Sequence, residues 1–237
     1  LSLVCTSIFL IDNVYSYFVS RAIIIGQAKE NSVMVGSNVA HDMTSKIQPI
    51  EALIENIAST LENPELSSEA IIDLTRSVVS ENETIFGSTI AFEPYGKHQD
   101  ELFFAPYTHR TKSGLSTIML GGHDYRYFYL DWYQLAQNLG KGVWTNPYYD
   151  TGGGNVLMAT YAVPFYRDIE GRRVFMGVIT ADISLEWIQA AISGITLYQT
   201  GYATMLAQNG SFIYHPEKKI IMNETIFSLA DQLGDEN

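Results

Sequence analysis

From Val14 to Leu61 the apolar positions recur every three or four residues. They are Val14, Phe18, Ala22, Ile25, Ala28, Val35, Val39, Met43, Ile50, Leu53, Ile57 and Leu61, with polar residues filling the other face. That period predicts one amphipathic helix, about 70 Å long at about 1.5 Å per residue. A single globular core does not need a helix of this length. It reads as a stalk, a coiled-coil seam or a spine that carries domains. Pro49 removes a backbone donor and predicts a kink. Asn63-Pro64 predicts the end of the helix.

After Ser67 or Ser68, either of which can cap, a second helix is expected to run to about Val79. The period then shortens to two. STIAFEP (88–94), ELFFAPY (101–107) and LSTIML (115–120) read as strands. Asp131 to Leu139 regains helical character and Gly140 ends it. GNVLMATYAVPFY (154–166) and RRVFMGVITADIS (172–184) are joined by the turn DIEG and predict an antiparallel hairpin at the sheet centre. Ser184 can cap a short helix, LEWIQAAI. Gly194 and Gly201 bracket a junction. GYATMLAQNGSFIYHP (201–216) then carries two strands around Asn209-Gly210 and opens a second sheet. The residues that follow are too few to bury a core, so a second domain is expected to be truncated or very small.

Ahead of the long helix, LSLVCTSIFLI is apolar and uncharged. It is shorter than the roughly 20 residues of a membrane span, and it lacks the charged start and small-residue cleavage site of a signal peptide. Two readings remain: the end of a transmembrane helix over 1–12, or the buried end of a soluble helix. Tyr15, Tyr17, Phe18 and Arg21 resemble an interfacial belt and favour the first.

The chain carries 26 acids against 14 bases, a net charge of −12. That balance argues against nucleic acid, which needs a basic footprint, and against docking on anionic lipid. One cysteine, Cys5, excludes an intrachain disulfide and a thiolate metal cluster. The five histidines form no HExxH pattern, so neither a metal nor a cofactor is expected.

Aromatic residues are concentrated. Residues 123–166 hold 12 of the 29 aromatics, over twice an even share. Tyr125, Trp132, Tyr133 and Tyr148 are candidates to converge on one cavity, with Asp150 and Asp182 at its edge. Aromatic faces carry negative quadrupole, and a carboxylate takes charge-assisted hydrogen bonds from an ammonium. Such a set suits a cationic ligand; the alternative is a plain core with satisfied hydroxyls. The run YYDTGGGN (148–155) lacks the GK[ST] ending of a phosphate loop and precedes a strand, so it reads as a flexible turn that carries Tyr148 and Asp150 over the sheet mouth.

The long helix, the WY pair, PYYD and a hairpin ending in GVITADISLEWI together resemble the double Cache extracellular sensor domain of prokaryotic transmembrane signalling receptors. FEPYG (92–96) and FAPY (104–107) fit the same group. The resemblance implies an α+β fold: a long N-terminal helix carrying two PAS-like (Cache) modules with antiparallel sheets, the second one truncated. It implies the end of a transmembrane helix over 1–12, a stalk or spine helix over 13–62, a membrane-distal ligand-binding module over 63–193 and a partial proximal module over 194–237. It places the domain outside the cell membrane, as a homodimer through the long helix, ahead of a histidine kinase, chemoreceptor, phosphatase or cyclase output. Many distal modules of this family hold the ammonium and carboxylate of amino acids. Tyr125, Trp132, Tyr133, Tyr148, Asp150 and Asp182 match that pattern; the arginine expected two residues before the tryptophan is Leu130. The ammonium half is therefore kept and the carboxylate clamp is missing. The ligand is expected to be a small amine, or an amino acid whose carboxylate is met by Arg126 or Arg110. Two other classes stand beside this one. An enzyme using Asp150 and Asp182 as an acid–base pair lacks a nucleophile elbow, metal ligands or a cofactor loop. A dimerisation module with a vestigial pocket needs no ligand at all.

Overall fold

A computed structural model describes residues 2–234, with side chains from Phe9 onward except that of Leu233. Leu1, and the side chain of Cys5, lie outside what is described. The chain divides into two compact units, residues 1–47 and 48–237. In the first, helix α1 (Ser2–Thr60) begins, and its residues from Phe9 to Ile25 are largely exposed and apolar. Among the described residues no helix is long and apolar enough to cross a membrane. The helix runs through Pro49 without interruption. One lost backbone bond does not end a helix when the neighbouring turns are intact.

In the second unit the end of α1 buries Ile50, Ile54, Ala58 and Leu61. Ile50 and Leu61 are buried as expected, while Ile54 and Ala58 take the places expected of Leu53 and Ile57, which are half-buried. Helix α2 (Ser68–Ser80) starts where Ser67 accepts from the backbone N–H of Ala70, and buries Ile71, Thr75, Val78 and Val79. Each apolar side chain of this kind contributes about 1.5–3 kcal/mol when fully buried.

Seven antiparallel strands form the main sheet. They are β1 (Gly87–Phe92), β2 (Pro106–Thr111), β3 (Gly114–Met119), β4 (Val143–Trp144), β5 (Tyr148–Tyr149), β6 (Leu157–Ile169) and β7 (Arg172–Ser184). The spatial order is β3-β2-β1-β7-β6-β4, with β5 also paired to β6. Helix α3 (Asp131–Leu139) ends at Gly140, whose left-handed φ of 64° suits glycine. Helix α4 (Leu185–Ser193) is capped by Ser184. Beyond it lie the short pairs β8 (Thr196–Leu197) with β9 (Gly201–Tyr202) and β10 (Met205–Leu206) with β11 (Phe212–Tyr214), then α5 (Ile226–Gly234). The fold is α+β, as expected.

One strand assignment is corrected. ELFFAPY contributes only Pro106 and Tyr107 to β2, which continues into the polar run THRT. Thr108 is fully buried there because its hydroxyl bonds those of Thr75 on α2 and Thr117 on β3. A hydroxyl ladder supplies partners that an apolar pattern does not reveal.

Side chains alternate across the sheet with period two. Thr108 and Tyr161 turn to the face covered by α1 and α2, where the Tyr161 hydroxyl donates to Glu55 at 2.8 Å. Ala91, Tyr107, Ala162 and Val178 turn to the other face. There they join Tyr127, Trp132, Tyr133 and Ala136 in one buried cluster. Because β6 and β7 are covered on both faces, they read as near-continuous apolar runs.

Candidate functional site

Asp182 lies near the end of β7, between Gly87 of β1 and Thr160 of β6. The Thr160 hydroxyl donates to its Oδ1 at 2.8 Å, and Thr160 itself shares a 2.8 Å hydrogen bond with the Tyr148 hydroxyl. Since Thr160 spends its proton on the carboxylate, Tyr148 donates to Thr160. Asp150 follows β5. Its Oδ2 accepts from the backbone N–H of Gly154 at 2.6 Å, and its Oδ1 from the Tyr125 hydroxyl at 3.2 Å.

Tyr125, Tyr148, Asp150 and Asp182 line a small, partly open inner chamber of about 10 Å³, together with Thr89, Tyr107, Leu120, Trp132 and Thr180. An outer cavity of about 550 Å³ shares Tyr125, Trp132, Tyr148 and Asp150 with it. Its wall adds Leu130, Leu135, Pro147, Thr145 and Tyr149, with Asp124, Arg126 and Asp131 also lining it.

Among the described residues no cation lines the inner chamber. Asp182 is 4 % exposed. Burial, reinforced by the charge of Asp150, pushes its carboxyl up to about 7. Burial and the same two carboxylates raise the hydroxyls of Tyr107, Tyr125 and Tyr148, which therefore stay protonated as donors. Two buried acids with only neutral neighbours form a site whose electrostatics call for a positive charge.

The three glycines pack directly against residues that line this site. A Cβ on Gly153 would collide with Oδ2 of Asp150, and one on Gly154 would meet Phe86 at 2.7 Å and both Met158 and the Tyr107 hydroxyl at 2.9 Å. Gly152, at φ 90°, would touch Tyr125 at 3.0 Å. The GGG run packs closely behind Tyr125, Asp150 and Tyr107, so the flexible turn inferred from sequence is a close-fitting one.

Of the residues singled out from sequence, Tyr125, Trp132, Tyr148, Asp150 and Asp182 come together here. Tyr133 does not. It is fully buried behind Trp132, stacked edge-on to Phe175, and its hydroxyl donates to Glu93 at 2.8 Å. Adjacent residues on a helix point about 100° apart, so Trp132 and Tyr133 do not face one cavity. Arg126 is exposed and lines the outer cavity. Arg110 is held elsewhere: its guanidinium donates to the carbonyls of Ile85, Val79 and Asn82. On β2 it shares a face with Thr108, opposite Tyr107. Leu130, in the arginine's expected place, is an apolar part of the cavity wall.

Sequence reasoning missed Tyr107, Thr89, Thr160 and Thr180. FAPY carries Tyr107, but its role depends on the β1–β2 register, which opposes it to Thr89.

Residues 71–190, half of the chain, match the family described as methyl-accepting chemotaxis protein-like, first PDC sensor domain. The chain belongs to this family, and its fold is that of a ligand-binding sensor domain. It is 26% identical over 233 residues to the methyl-accepting chemotaxis protein PctB of Pseudomonas aeruginosa, covering 97% of this chain and 32% of that protein. The chain thus spans about a third of the length of the curated relatives it matches. The extracellular domain of mmHK1S-Z3, described as that of a histidine kinase, superposes with a TM-score of 0.73 at 26% identity, over 84% of this chain and 75% of that one. The ligand-binding domain of the amino acid chemoreceptor PctC of Pseudomonas aeruginosa, in complex with GABA, shares the fold at a TM-score of 0.59 and 18% identity, over 84% of this chain and 77% of that one.

Proposed function

We propose that this chain is the extracytoplasmic ligand-sensing part of a transmembrane signalling receptor of the double Cache type, and that it binds a small amine. The observation that carries this reading is the pair of buried carboxylates, Asp150 and Asp182, facing one chamber with no cation among its lining. An ammonium there accepts no desolvation without return. It donates charge-assisted hydrogen bonds to both acids and gains contact with the rings of Trp132, Tyr125 and Tyr148. Leu130 favours an amine without a carboxylate, because a carboxylate buried against it would have no bidentate partner.

Residues 63–193 are the binding module in this reading, and 194–237 belong to a second, partial one. Residues 13–62 form the spine, 1–12 end a membrane helix, and two copies associate through the spine. A kinase, chemoreceptor, phosphatase or cyclase receives the signal.

A second reading, an amino-acid sensor, is favoured by one feature: Arg126 lines the outer cavity and has room to meet a carboxylate. PctC is described in complex with GABA, which carries both an ammonium and a carboxylate. The test is a thermal-shift screen with amines and amino acids, followed by calorimetry on wild type and Asp182→Asn. A ligand at about 100 times its Kd adds about 2.7 kcal/mol, well within reach of the screen. Stabilisation by amines alone, lost in Asp182→Asn, supports the first reading. Stabilisation by amino acids, lost in Arg126→Gln, moves the conclusion to the second. Absence of any shift with either class removes both.

A further inference from the structure

The inner chamber is small, and Tyr107 is one of the residues that bound it. Its side chain is 2 % exposed, and its hydroxyl has no hydrogen-bond partner. Leaving a buried hydroxyl unpaired costs about 1–3 kcal/mol, so this one needs a reason. It lines the chamber together with both carboxylates.

Tyr107 has little freedom to move away. A Cβ added to Gly87 would collide with its hydroxyl, and one on Gly154 would lie 2.9 Å from it, so two backbones already press on this oxygen. Its ring is stacked on that of His109, with centroids 5.1 Å apart and planes 18° from parallel. Opposite, Asp182 is tied to Thr160, and Asp150 to Gly154 and Tyr125. The free volume of about 10 Å³ is about what one water-sized group requires.

An unsubstituted ammonium head is close to a water molecule in size and carries three donors. The chamber offers acceptors at Asp150 and Asp182 and a hydroxyl oxygen at Tyr107. Each N-methyl group removes one donor and adds a volume for which the walls leave no space.

We infer that the chamber is a gauge for primary amines, in which Tyr107 accepts a hydrogen bond from the ligand ammonium and excludes N-alkylated ones. This rests on the amine reading proposed above. The outer cavity, large and partly aromatic, takes the body of the ligand and is indifferent to N-substitution.

The experiment is calorimetry of the whole chain with 2-phenylethylamine, its N-methyl form and its N,N,N-trimethyl form, on wild type and Tyr107→Phe. The N-methyl form is expected to bind about 10- to 100-fold more weakly, the cost of overfilling a packed site, and the trimethyl form not at all. Tyr107→Phe is expected to change the melting temperature of the ligand-free protein little, since the hydroxyl makes no direct hydrogen bond of normal length. The same change is expected to weaken the primary amine about 10-fold. A residue that only shaped the core would move the melting temperature and leave the amine affinity unchanged. Equal binding of all three compounds overturns the inference and leaves the amine reading standing. Loss of stability in Tyr107→Phe with amine affinity unchanged also overturns it. If none of the three binds and the amine screen is silent too, both conclusions fall together.

Discussion

The indole N–H of Trp144 donates to Glu51 of the long helix at 2.6 Å. The neighbouring residue, Thr145, lines the outer cavity; its backbone N–H donates to the Thr160 carbonyl, its hydroxyl accepts from the Thr160 N–H, and Thr160 holds Asp182. Helix α1 is therefore fastened through Glu51 to β4, whose neighbour β6 carries Thr160 beside Asp182. Trp144→Phe removes the donor and leaves Glu51 half-buried without it. Urea denaturation is expected to show a loss of about 1–2 kcal/mol. Amide exchange across residues 48–60 is expected to rise in the same variant, while exchange in α3 stays as in wild type.

Asp182 sets a pH dependence whose sign is fixed by its environment. Its carboxyl ionises near 3.8 when unperturbed and near 7 in the fold. Between those values the folded state holds a proton that the unfolded state has released. Stability therefore falls as pH rises from about 4 to about 7 and levels off above that. Melting temperatures across pH 4–8 are expected to show this slope in wild type, and Asp182→Asn is expected to remove its share of it. Amine binding near pH 6.5 is expected to release a proton, visible as a calorimetric heat that varies with buffer ionisation enthalpy.

Gly154→Ala places a methyl group against Phe86, Met158 and Tyr107. A loss of about 1–3 kcal/mol is expected by thermal or urea unfolding, the range for overpacking a filled site. Gly171→Ala is the useful contrast. Nothing lies within 4 Å of its Cβ, so only its φ of 76° opposes the change. Equal effects of the two would argue against the chamber being tightly walled.

Leu130→Arg restores a cation where the resemblance expects one. The side chain sits on the cavity wall and is half-buried, so the fold is expected to tolerate it. In calorimetry the preference is expected to move from amines toward amino acids by about tenfold or more, because a bidentate partner becomes available to the carboxylate. A variant that folds and shows no change in preference would mean that Leu130 does not face the ligand.

Trp132 is 4 % exposed and packs against Tyr127 and Tyr133. Trp132→Ala is expected to cost about 3–5 kcal/mol. Trp132→Phe is expected to keep most of that stability. It is the variant in which to read the ring's contribution to amine affinity, about 0.5–2 kcal/mol.

Much of the scaffold was legible in the chain. Helix α3 ends at Gly140, as the left-handed C-terminal glycine indicates. The hairpin of β6 and β7 turns at the DIEG run, and Ser67 and Ser184 cap their helices. These features depend on backbone preferences and on a hydrophobic period, both local in sequence. The polar half of β2 was not legible, because Thr108 is buried by hydroxyl partners on α2 and β3 rather than by its own character.

The candidate site divides in the same way. Its residue types and the aromatic concentration around them were set by the sequence, as was a leucine, Leu130, where the resemblance expects an arginine. Which of those residues meet was decided by tertiary structure. A turn of about 100° between neighbours on α3 sends Trp132 to the cavity and Tyr133 to Glu93. The two-residue period of β2 sends Tyr107 to the chamber and Arg110 to the ends of α2 and its following loop. Composition does not carry such directions. They follow from strand register and helix phase, which are fixed only when the whole sheet is assembled and both of its faces are covered.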